Sequence, residues 1–148
     1  MLLRGAAPLA VELTVEPGIG TEGYRIADGP GGTVRISGND TRGLLFGVGK
    51  FLHTSTCGNQ GFTPGSWRGA SVPKMPVRGI YLASDFHNYY QVAPIEEVTR
   101  YVEDLSLWGV NSFFVWFGME EFNGIDDPKA QAMIERLRAD DSTVGLHK

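Results

Sequence analysis

Residues 77–117 constrain the fold of this chain most strongly, because they predict a strand, a helix and a second strand in succession. Residues 77–83 are mostly apolar and β-prone, whereas apolar residues recur at helical spacing across residues 95–105. Gly109 ends this helix, and residues 112–117 form an apolar run typical of a strand buried on both faces. Two such strands joined by a helix predict a parallel βαβ unit, whose functional groups collect at the carboxyl ends of the strands.

The first 73 residues predict a small α+β domain. Short strands are expected at residues 9–15, 24–27 and 33–37. A turn rich in glycine joins the last two of these strands, and such a turn between two β-prone runs predicts a hairpin.

A helix is predicted over residues 41–55, with Asp40 as its N-cap. Its apolar residues form one stripe despite three internal glycines, and this stripe contains Leu44, Leu45, Val48, Phe51 and Leu52. Gly43 and Gly47 are four residues apart on one helix face, and each should cost the helix about 1 kcal/mol relative to alanine. We therefore expect these glycines to permit a close approach to a neighbouring sheet.

The segments on either side of the βαβ unit show weaker patterns. Residues 57–75 are rich in Gly, Pro, Asn, Ser and Thr, which is typical of a linker or covering loop, and we place a domain boundary near Pro73. An Asp-Asp-Pro sequence at 126–128 predicts the start of a further helix that ends near Ala139. Residues 140–148 show no periodicity and are expected to form a disordered tail.

Residues 74–139 therefore predict an α/β fold of β-α-β-α order with only two parallel strands. A closed (β/α)8 barrel needs roughly 250 residues. Either the chain is a fragment of a longer enzyme, or the open sheet edge is covered by a partner or by self-association.

Charge and composition exclude several classes of protein. The net charge is −4 and no basic run of five or more residues occurs, which argues against nucleic-acid and anionic-membrane partners. The single Cys57 excludes an internal disulfide. No apolar window approaches the length of a membrane span or a signal-peptide core, so we expect a soluble protein that is cytoplasmic by default.

Three short motifs, which occur in the expected order, resemble parts of a known enzyme family. Residues 38–48, GNDTRGLLFGV, resemble the helix of the α+β domain that precedes the barrel in bacterial β-N-acetylhexosaminidases and α-glucuronidases. Residues 76–80, PVRGI, resemble the opening strand of the hexosaminidase barrel, and residues 108–111, WGVN, resemble the turn into its second strand. The resemblance spans residues 9–122.

This resemblance implies a glycoside hydrolase. It implies that residues 1–73 form a hexosaminidase-type α+β domain and that residues 74–139 form the first two βα units of an incomplete (β/α)8 barrel. The catalytic Asp-Glu pair of the family lies after the fourth barrel strand, which this chain does not contain. The resemblance therefore implies no catalytic residue here.

The sequence also departs from the family pattern. An acidic residue is usual where Ala83 stands, and histidines are usual where Phe114 and Trp116 stand. Arg78 matches the family arginine that binds sugar hydroxyls, and His87 stands at a family histidine, so the resemblance implies a substrate-binding role for these two alone.

The residue pattern itself adds Asp85 and Glu120 as candidate substrate contacts, and each candidate has an alternative role. Asp85 and His87 are two residues apart and would face the same side at the carboxyl end of a strand, as a sugar-binding pair or as a loop-capping pair. Glu120 follows the second strand and would either reach the same rim or lie on a solvated surface. Arg78 would bind sugar or form a structural ion pair.

Aromatic residues near the strand ends have two interpretations. Tyr89, Tyr90, Trp116 and Phe117 could stack on sugar rings, although aromatic side chains in a buried strand usually belong to the core.

The spacing of the residues argues against a phosphate-binding loop and against a metal site. The glycines at 43–49 lack the pattern of a phosphate loop, since Leu44 and Phe51 stand where glycine and Ser or Thr are needed. His53 and Cys57 are only two potential metal ligands, so no metal site and no cofactor is predicted.

Two functions remain. The first is an amino-terminal fragment of a carbohydrate-degrading glycoside hydrolase, inactive alone and completed by a missing carboxyl-terminal part of the barrel. The alternative is a noncatalytic carbohydrate-binding or assembly module that is complete at this length.

Overall fold

The computed structural model describes residues 9–59, 61–83, 88–116 and 122–144. The chain divides into two units, one comprising Met1–Pro76 with Leu107–Gly109 and the other Val77–Ser106 with Val110–Lys148. Among the described residues, none of the helices combines the length and the apolar character needed to cross a bilayer.

The first unit is built on a mixed four-stranded sheet. In chain order its elements are β1 (Val11–Val15), β2 (Tyr24–Asp28), β3 (Val34–Gly38), α1 (Thr41–Thr54), β4 (Thr56–Gly58), β5 (Gly61–Thr63) and β6 (Gly69–Ser71). The strand order is β1-β3-β2-β6; β1 runs parallel to β3, and the other pairs are antiparallel. The predicted hairpin between β2 and β3 is confirmed.

The prediction of a linker over residues 57–75 is wrong in part. Strand β6 adds to the sheet beside β2, and β4 and β5 form a separate antiparallel pair. Each of these strands has only three residues and contains glycine. Pairing of so short a segment depends on its backbone, so it leaves no periodic pattern in the side chains.

Helix α1 packs on the sheet through the glycine face that the sequence predicted. A Cβ atom at Gly43 would lie 2.2 Å from the carbonyl oxygen of Gly23, and one at Gly47 would lie 2.8 Å from Cγ2 of Ile36. The core beneath the helix contains Ile26, Val34, Ile36 and Phe51. The expected close approach of helix and sheet is therefore confirmed.

Asn39 and Asp40 connect the start of α1 to the preceding loop. Oδ1 of Asn39 accepts hydrogen bonds from three successive backbone N–H groups, those of residues 18, 19 and 20, at 3.0–3.1 Å. The Asp40 carboxylate accepts from the N–H groups of Gly43 and Glu22, each at 2.8 Å. The predicted N-cap is confirmed, and it also holds the loop between β1 and β2.

Replacing Asp40 by alanine is expected to destabilise the first unit by about 2–3 kcal/mol, because two N–H groups lose their acceptor. Asp40→Asn should cost less, since its one oxygen can still cap Gly43. Urea unfolding followed by circular dichroism measures both changes. A loss below 0.5 kcal/mol for Asp40→Ala, on the order of an ordinary surface substitution, would contradict this role.

The Asp40 carboxylate also makes stability depend on pH. Burial raises the pKa of Asp40, but hydrogen bonds from two backbone N–H groups and an amide, together with a nearby arginine, outweigh burial and lower it below 3.8. The stabilisation is therefore present above pH 3.8 and lost as the pH falls through the folded-state pKa. We therefore expect the free energy of unfolding to fall less on acidification in the Asp40→Asn variant than in the unsubstituted protein.

The second unit contains β7 (Gly79–Ala83), α2 (Tyr89–Val92), α3 (Ile95–Leu107), β8 (Ser112–Trp116) and α4 (Pro128–Val144). Strands β7 and β8 are parallel, which confirms the predicted βαβ unit. Helix α4 ends at Val144 and is thus longer than the predicted helix that ends near Ala139.

The core of the second unit lies on one face of the β7–β8 pair. Its buried residues are Tyr90, Ala93, Val98 and Val102, and Leu82, Phe113, Val115 and Met133 pack against them. The prediction that β8 is buried on both faces is wrong, because Phe114 and Trp116 are each 53% exposed. The described helices α2, α3 and α4 cover only one face, and an apolar strand sequence cannot reveal whether a second layer is present.

Candidate functional site

The carboxyl ends of β7 and β8 lie side by side, because the two strands are parallel and Ala83 pairs with Trp116. This edge is where parallel α/β proteins place their ligands. Neither strand contains an acidic or basic side chain. The described residues of the two strands can therefore contact a ligand, but they supply no carboxylate, imidazole or amine for acid–base catalysis.

The face of the β7–β8 pair that the helices leave open carries three aromatic side chains, Tyr81, Phe114 and Trp116, which we call the aromatic face. Tyr81 pairs with Phe114 in the middle of the strands and is 62% exposed. A Cβ atom at Gly79 would lie 2.7 Å from Cε2 of Phe114, so the glycine makes room for the ring. The aromatic face thus combines large rings with small neighbours.

Arg78 lies immediately before β7, at the amino end of the strand and away from Ala83. Its backbone N–H donates to Oδ1 of Asn111 at 2.9 Å, and its carbonyl oxygen accepts from the Asn111 N–H at 2.9 Å. Asn111 therefore joins the amino ends of the two strands. Sequence reasoning placed Asn111 in a family motif but missed this backbone role.

The other predicted substrate contacts, Asp85, His87 and Glu120, lie outside the described residues. The proposed pairing of Asp85 with His87 and the position of Glu120 at the rim therefore stay predictions.

Asn88 orders the chain that follows this edge. Its side-chain oxygen accepts from the N–H of Gln91 at 3.3 Å as the N-cap of α2, and its Nδ2 donates to the carbonyl oxygen of Ala83. Sequence reasoning missed this residue, although an asparagine directly before a short aromatic helix is a recognisable capping signal.

The aromatic candidates separate into core and surface. Tyr90 is buried, and the Arg136 guanidinium lies 5.3 Å from its ring centroid while Nη2 of Arg136 donates to the carbonyl oxygen of Ala93. Tyr90 is therefore a packing residue. Tyr89 is partly exposed and contacts Tyr101 edge-on, whereas Trp116 is well exposed at the strand end. Phe117 lies outside the described residues.

Within the described ranges, no three His, Cys, Asp or Glu side chains are grouped so that they could hold a metal ion. His53 and Cys57 accordingly have no third ligand of these types among the described residues.

Comparison with known proteins finds a likeness in fold. No protein-family model matches the sequence, and no curated protein matches it. A solved structure described as a Glycoside Hydrolase Family 20 beta-N-Acetylglucosaminidase aligns over 71% of this chain with a TM-score of 0.55 and 21% sequence identity. The chain spans about a fifth of the length of that structure, 21%. At this identity the likeness shows the fold alone.

Proposed function

We propose that the chain forms the amino-terminal part of a carbohydrate-degrading glycoside hydrolase that hydrolyses O-glycosyl bonds. The observation that carries this proposal is the parallel β7–β8 pair, with helices on one face and exposed aromatic rings on the other. In a (β/α)8 barrel each strand packs against helices on its outer face and against other strands on its inner face. The aromatic face is then part of the barrel interior.

The likeness in fold to a glycoside hydrolase supports a carbohydrate-degrading origin. In this proposal the α+β domain precedes the barrel. Asp85, His87 and Glu120 contribute sugar contacts, and Arg78 contributes one only by reaching from the amino end of β7. The paired carboxylates of glycosidic cleavage come from later barrel strands, because neither β7 nor β8 carries a carboxylate.

We expect the 148-residue chain to show no turnover of a nitrophenyl N-acetylglucosaminide, since cleavage requires two positioned carboxyl groups. The longer protein that is encoded when the reading frame is extended downstream should hydrolyse this or another aryl glycoside. The released nitrophenol measures both reactions. Turnover by the 148-residue chain alone, or a stop codon directly after Lys148, would contradict the proposal.

A noncatalytic carbohydrate-binding or assembly module is the second candidate, and the exposure of Tyr81, Phe114 and Trp116 favours it. Such a module would use its aromatic rings for recognition without further strands. A stop codon directly after Lys148, combined with sugar binding by the chain, would favour this module over the enzyme.

A further inference from the structure

We propose that strand β1 pairs with β1 of a second copy of this chain, so that the sheet of the first unit continues antiparallel across a two-fold axis. The inference goes beyond the proposed function and does not depend on it. β1 lies at one edge of the four-stranded sheet, next to β3, and no described strand pairs with its other side. That free edge is the surface on which the second copy would bind.

The free edge of β1 has the features of a strand that can accept another strand. Natural sheets blunt their edges with very short strands, lysine, proline or bulges. β6, at the opposite edge, has only three residues and contains a glycine. β1 has five residues, VELTV, and none of them is lysine, proline or glycine. Of the two edges of this sheet, β1 is therefore the better one for further pairing.

Backbone hydrogen bonds show which groups of β1 point to the free edge. The Ala10 carbonyl oxygen accepts from the Val34 N–H at 2.9 Å, and the Glu16 N–H donates to the Gly38 carbonyl oxygen at 2.8 Å. Even-numbered residues of β1 therefore bond to β3, and the groups of alternate residues point the other way. The residues whose N–H and C=O groups point to the free edge are Val11, Leu13 and Val15.

The side chains of these three residues form an exposed apolar strip on the α1 face of the sheet. Val11 pairs with Val34 and Leu13 pairs with Ile36 in parallel register, so they share a face with these two core residues. The core beneath α1 nevertheless contains no residue of β1. Val11, Leu13 and Val15 are consequently 40%, 54% and 51% exposed.

Helix α1 adds two exposed leucines beside this strip. Leu45 and Leu52 are seven residues apart and lie on one face of the helix. Nζ of Lys50 lies 5.2 Å from the Trp67 ring centroid, and that ring contacts Tyr24 of β2, so Lys50 marks the flank of α1 on the β2 side. Leu52 lies about 160° from Lys50 around the helix, and therefore on the flank that faces β1.

Antiparallel pairing of two β1 strands would cover both apolar strips. With strands about 4.8 Å apart, β3 and its symmetry mate would be roughly 14 Å apart. A helix is about 10–12 Å across with its side chains, so the two α1 helices would closely flank the new strand pair. Leu45 and Leu52 of both copies would then border the apolar layer that Leu13 centres.

The outward-pointing groups fit a second copy best when Leu13 faces Leu13 of that copy. Val11 then faces Val15, and each pair is of the kind in which two opposed residues exchange both backbone bonds. The two edges would thus form about six hydrogen bonds between the chains. Every apolar side chain of one β1 would also lie opposite an apolar side chain of the other.

Charge favours this register over its neighbours. Glu12 faces Thr14 of the second copy in it, so no two like charges are opposed. A shift of two residues in either direction would place Glu12 opposite Glu12 or Glu16 of the second copy, and like charges directly opposite destabilise a strand pair. Within its own chain, the Glu12 carboxylate lies 3.0 Å from Nε of Arg35, which compensates its charge.

Light scattering after size exclusion tests the inference on the 148-residue chain. The interface is small, so we expect a dissociation constant on the order of 10 μM, and the mass should rise from 16.1 kDa towards twice that value between low-micromolar and submillimolar concentration. Leu13→Lys opposes two ammonium groups at the axis and should raise the dissociation constant at least about tenfold. Val77→Lys is the matched control, because Val77 is 55% exposed and lies outside β1; it should change the constant less than about twofold.

Disulfide cross-linking tests the register, in a Cys57→Ser background because Cys57 is exposed. Leu13→Cys should form a disulfide-linked dimer with oxidised glutathione, since opposed residues have Cα atoms about 5.5 Å apart. Val11→Cys should not, because the two cysteines would be offset by four residues, about 13 Å. Non-reducing electrophoresis measures both, and it decides the question even if Leu13→Lys fails to fold.

The inference is overturned if the chain keeps the monomer mass up to submillimolar concentration, or if Leu13→Lys and Val77→Lys change the dissociation constant equally. It is also overturned if Leu13→Cys and Val11→Cys cross-link to the same extent. The longer protein encoded by the extended reading frame should also be a dimer. A monomeric longer protein in which another part of its own chain covers β1 would likewise contradict the inference.

Discussion

Gly43→Ala is expected to destabilise the first unit by at least about 3 kcal/mol, although alanine in a helix interior normally stabilises by roughly 1 kcal/mol over glycine. The added Cβ would lie 2.2 Å from the Gly23 carbonyl oxygen. That oxygen accepts the Asn39 N–H at 2.8 Å, so moving it away from the helix would break another hydrogen bond. Helix propensity therefore predicts that Gly43→Ala raises the free energy of unfolding, whereas packing predicts that it lowers it. We expect the packing effect to be the larger of the two.

Two further glycine substitutions calibrate this result. Gly47→Ala should cost less, because its Cβ meets mainly side-chain atoms of Ile36 and Tyr24, which can shift. Gly58→Ala is the control, since nothing lies within 4 Å of its added Cβ. Urea unfolding followed by circular dichroism ranks the three variants. A Gly43→Ala protein as stable as the Gly58→Ala protein would show that helix α1 does not approach the β1–β2 loop as described.

Val98→Asp is expected to unfold the second unit, at a cost of roughly 3–5 kcal/mol, because it places a carboxylate in an apolar core. Val98 is 0% exposed on the α3 face that packs with Phe113 and Val115 of β8. Arg136 is a basic side chain beside this core, where it lies against the Tyr90 ring and donates to the Ala93 carbonyl oxygen. The new carboxylate would have to be buried or to draw Arg136 away from the Ala93 carbonyl oxygen, or the helix would have to leave the sheet; each of these changes lowers stability.

Val92→Asp is the matched control for this substitution. Val92 is 60% exposed at the end of α2, so the same chemical change should cost less than about 0.5 kcal/mol there. Differential scanning calorimetry of the two variants makes the comparison. Equal melting temperatures would contradict the assignment of the apolar α3 stripe to the core.

Local signals explain which parts of the fold could be predicted from the sequence. Asp40 before an apolar stripe identified the cap of α1, and the glycine-rich turn identified the β2–β3 hairpin. The apolar run at 112–117 identified β8, which comprises Ser112–Trp116, but the burial of this strand depends on layers that a strand sequence does not encode. The short strands β4, β5 and β6 were missed because backbone pairing leaves no side-chain period.

The parallel pairing of β7 and β8 was predictable from the sequence, whereas the substrate contacts proposed at their carboxyl ends stay predictions. Parallel strands implied that ligand contacts collect at their carboxyl ends, and Trp116 lies there. Whether Trp116 lies in the core or on the surface could not be decided from the sequence, because its exposure depends on which faces the helices cover. Asn111 was missed since its contacts are with the backbone of Arg78, which any residue at that position would supply. Asn88 carried a capping signal that the sequence prediction did not use.

The central claim is that β7 and β8 are the first two strands of a sugar-cleaving barrel. An experimental structure of the chain extended through its downstream reading frame tests it most directly. We predict a third strand parallel to β8 along its remaining edge, with Tyr81, Phe114 and Trp116 inside a closed barrel. A structure in which β7 and β8 are antiparallel, or in which these three rings face outward from the finished sheet, would contradict the claim.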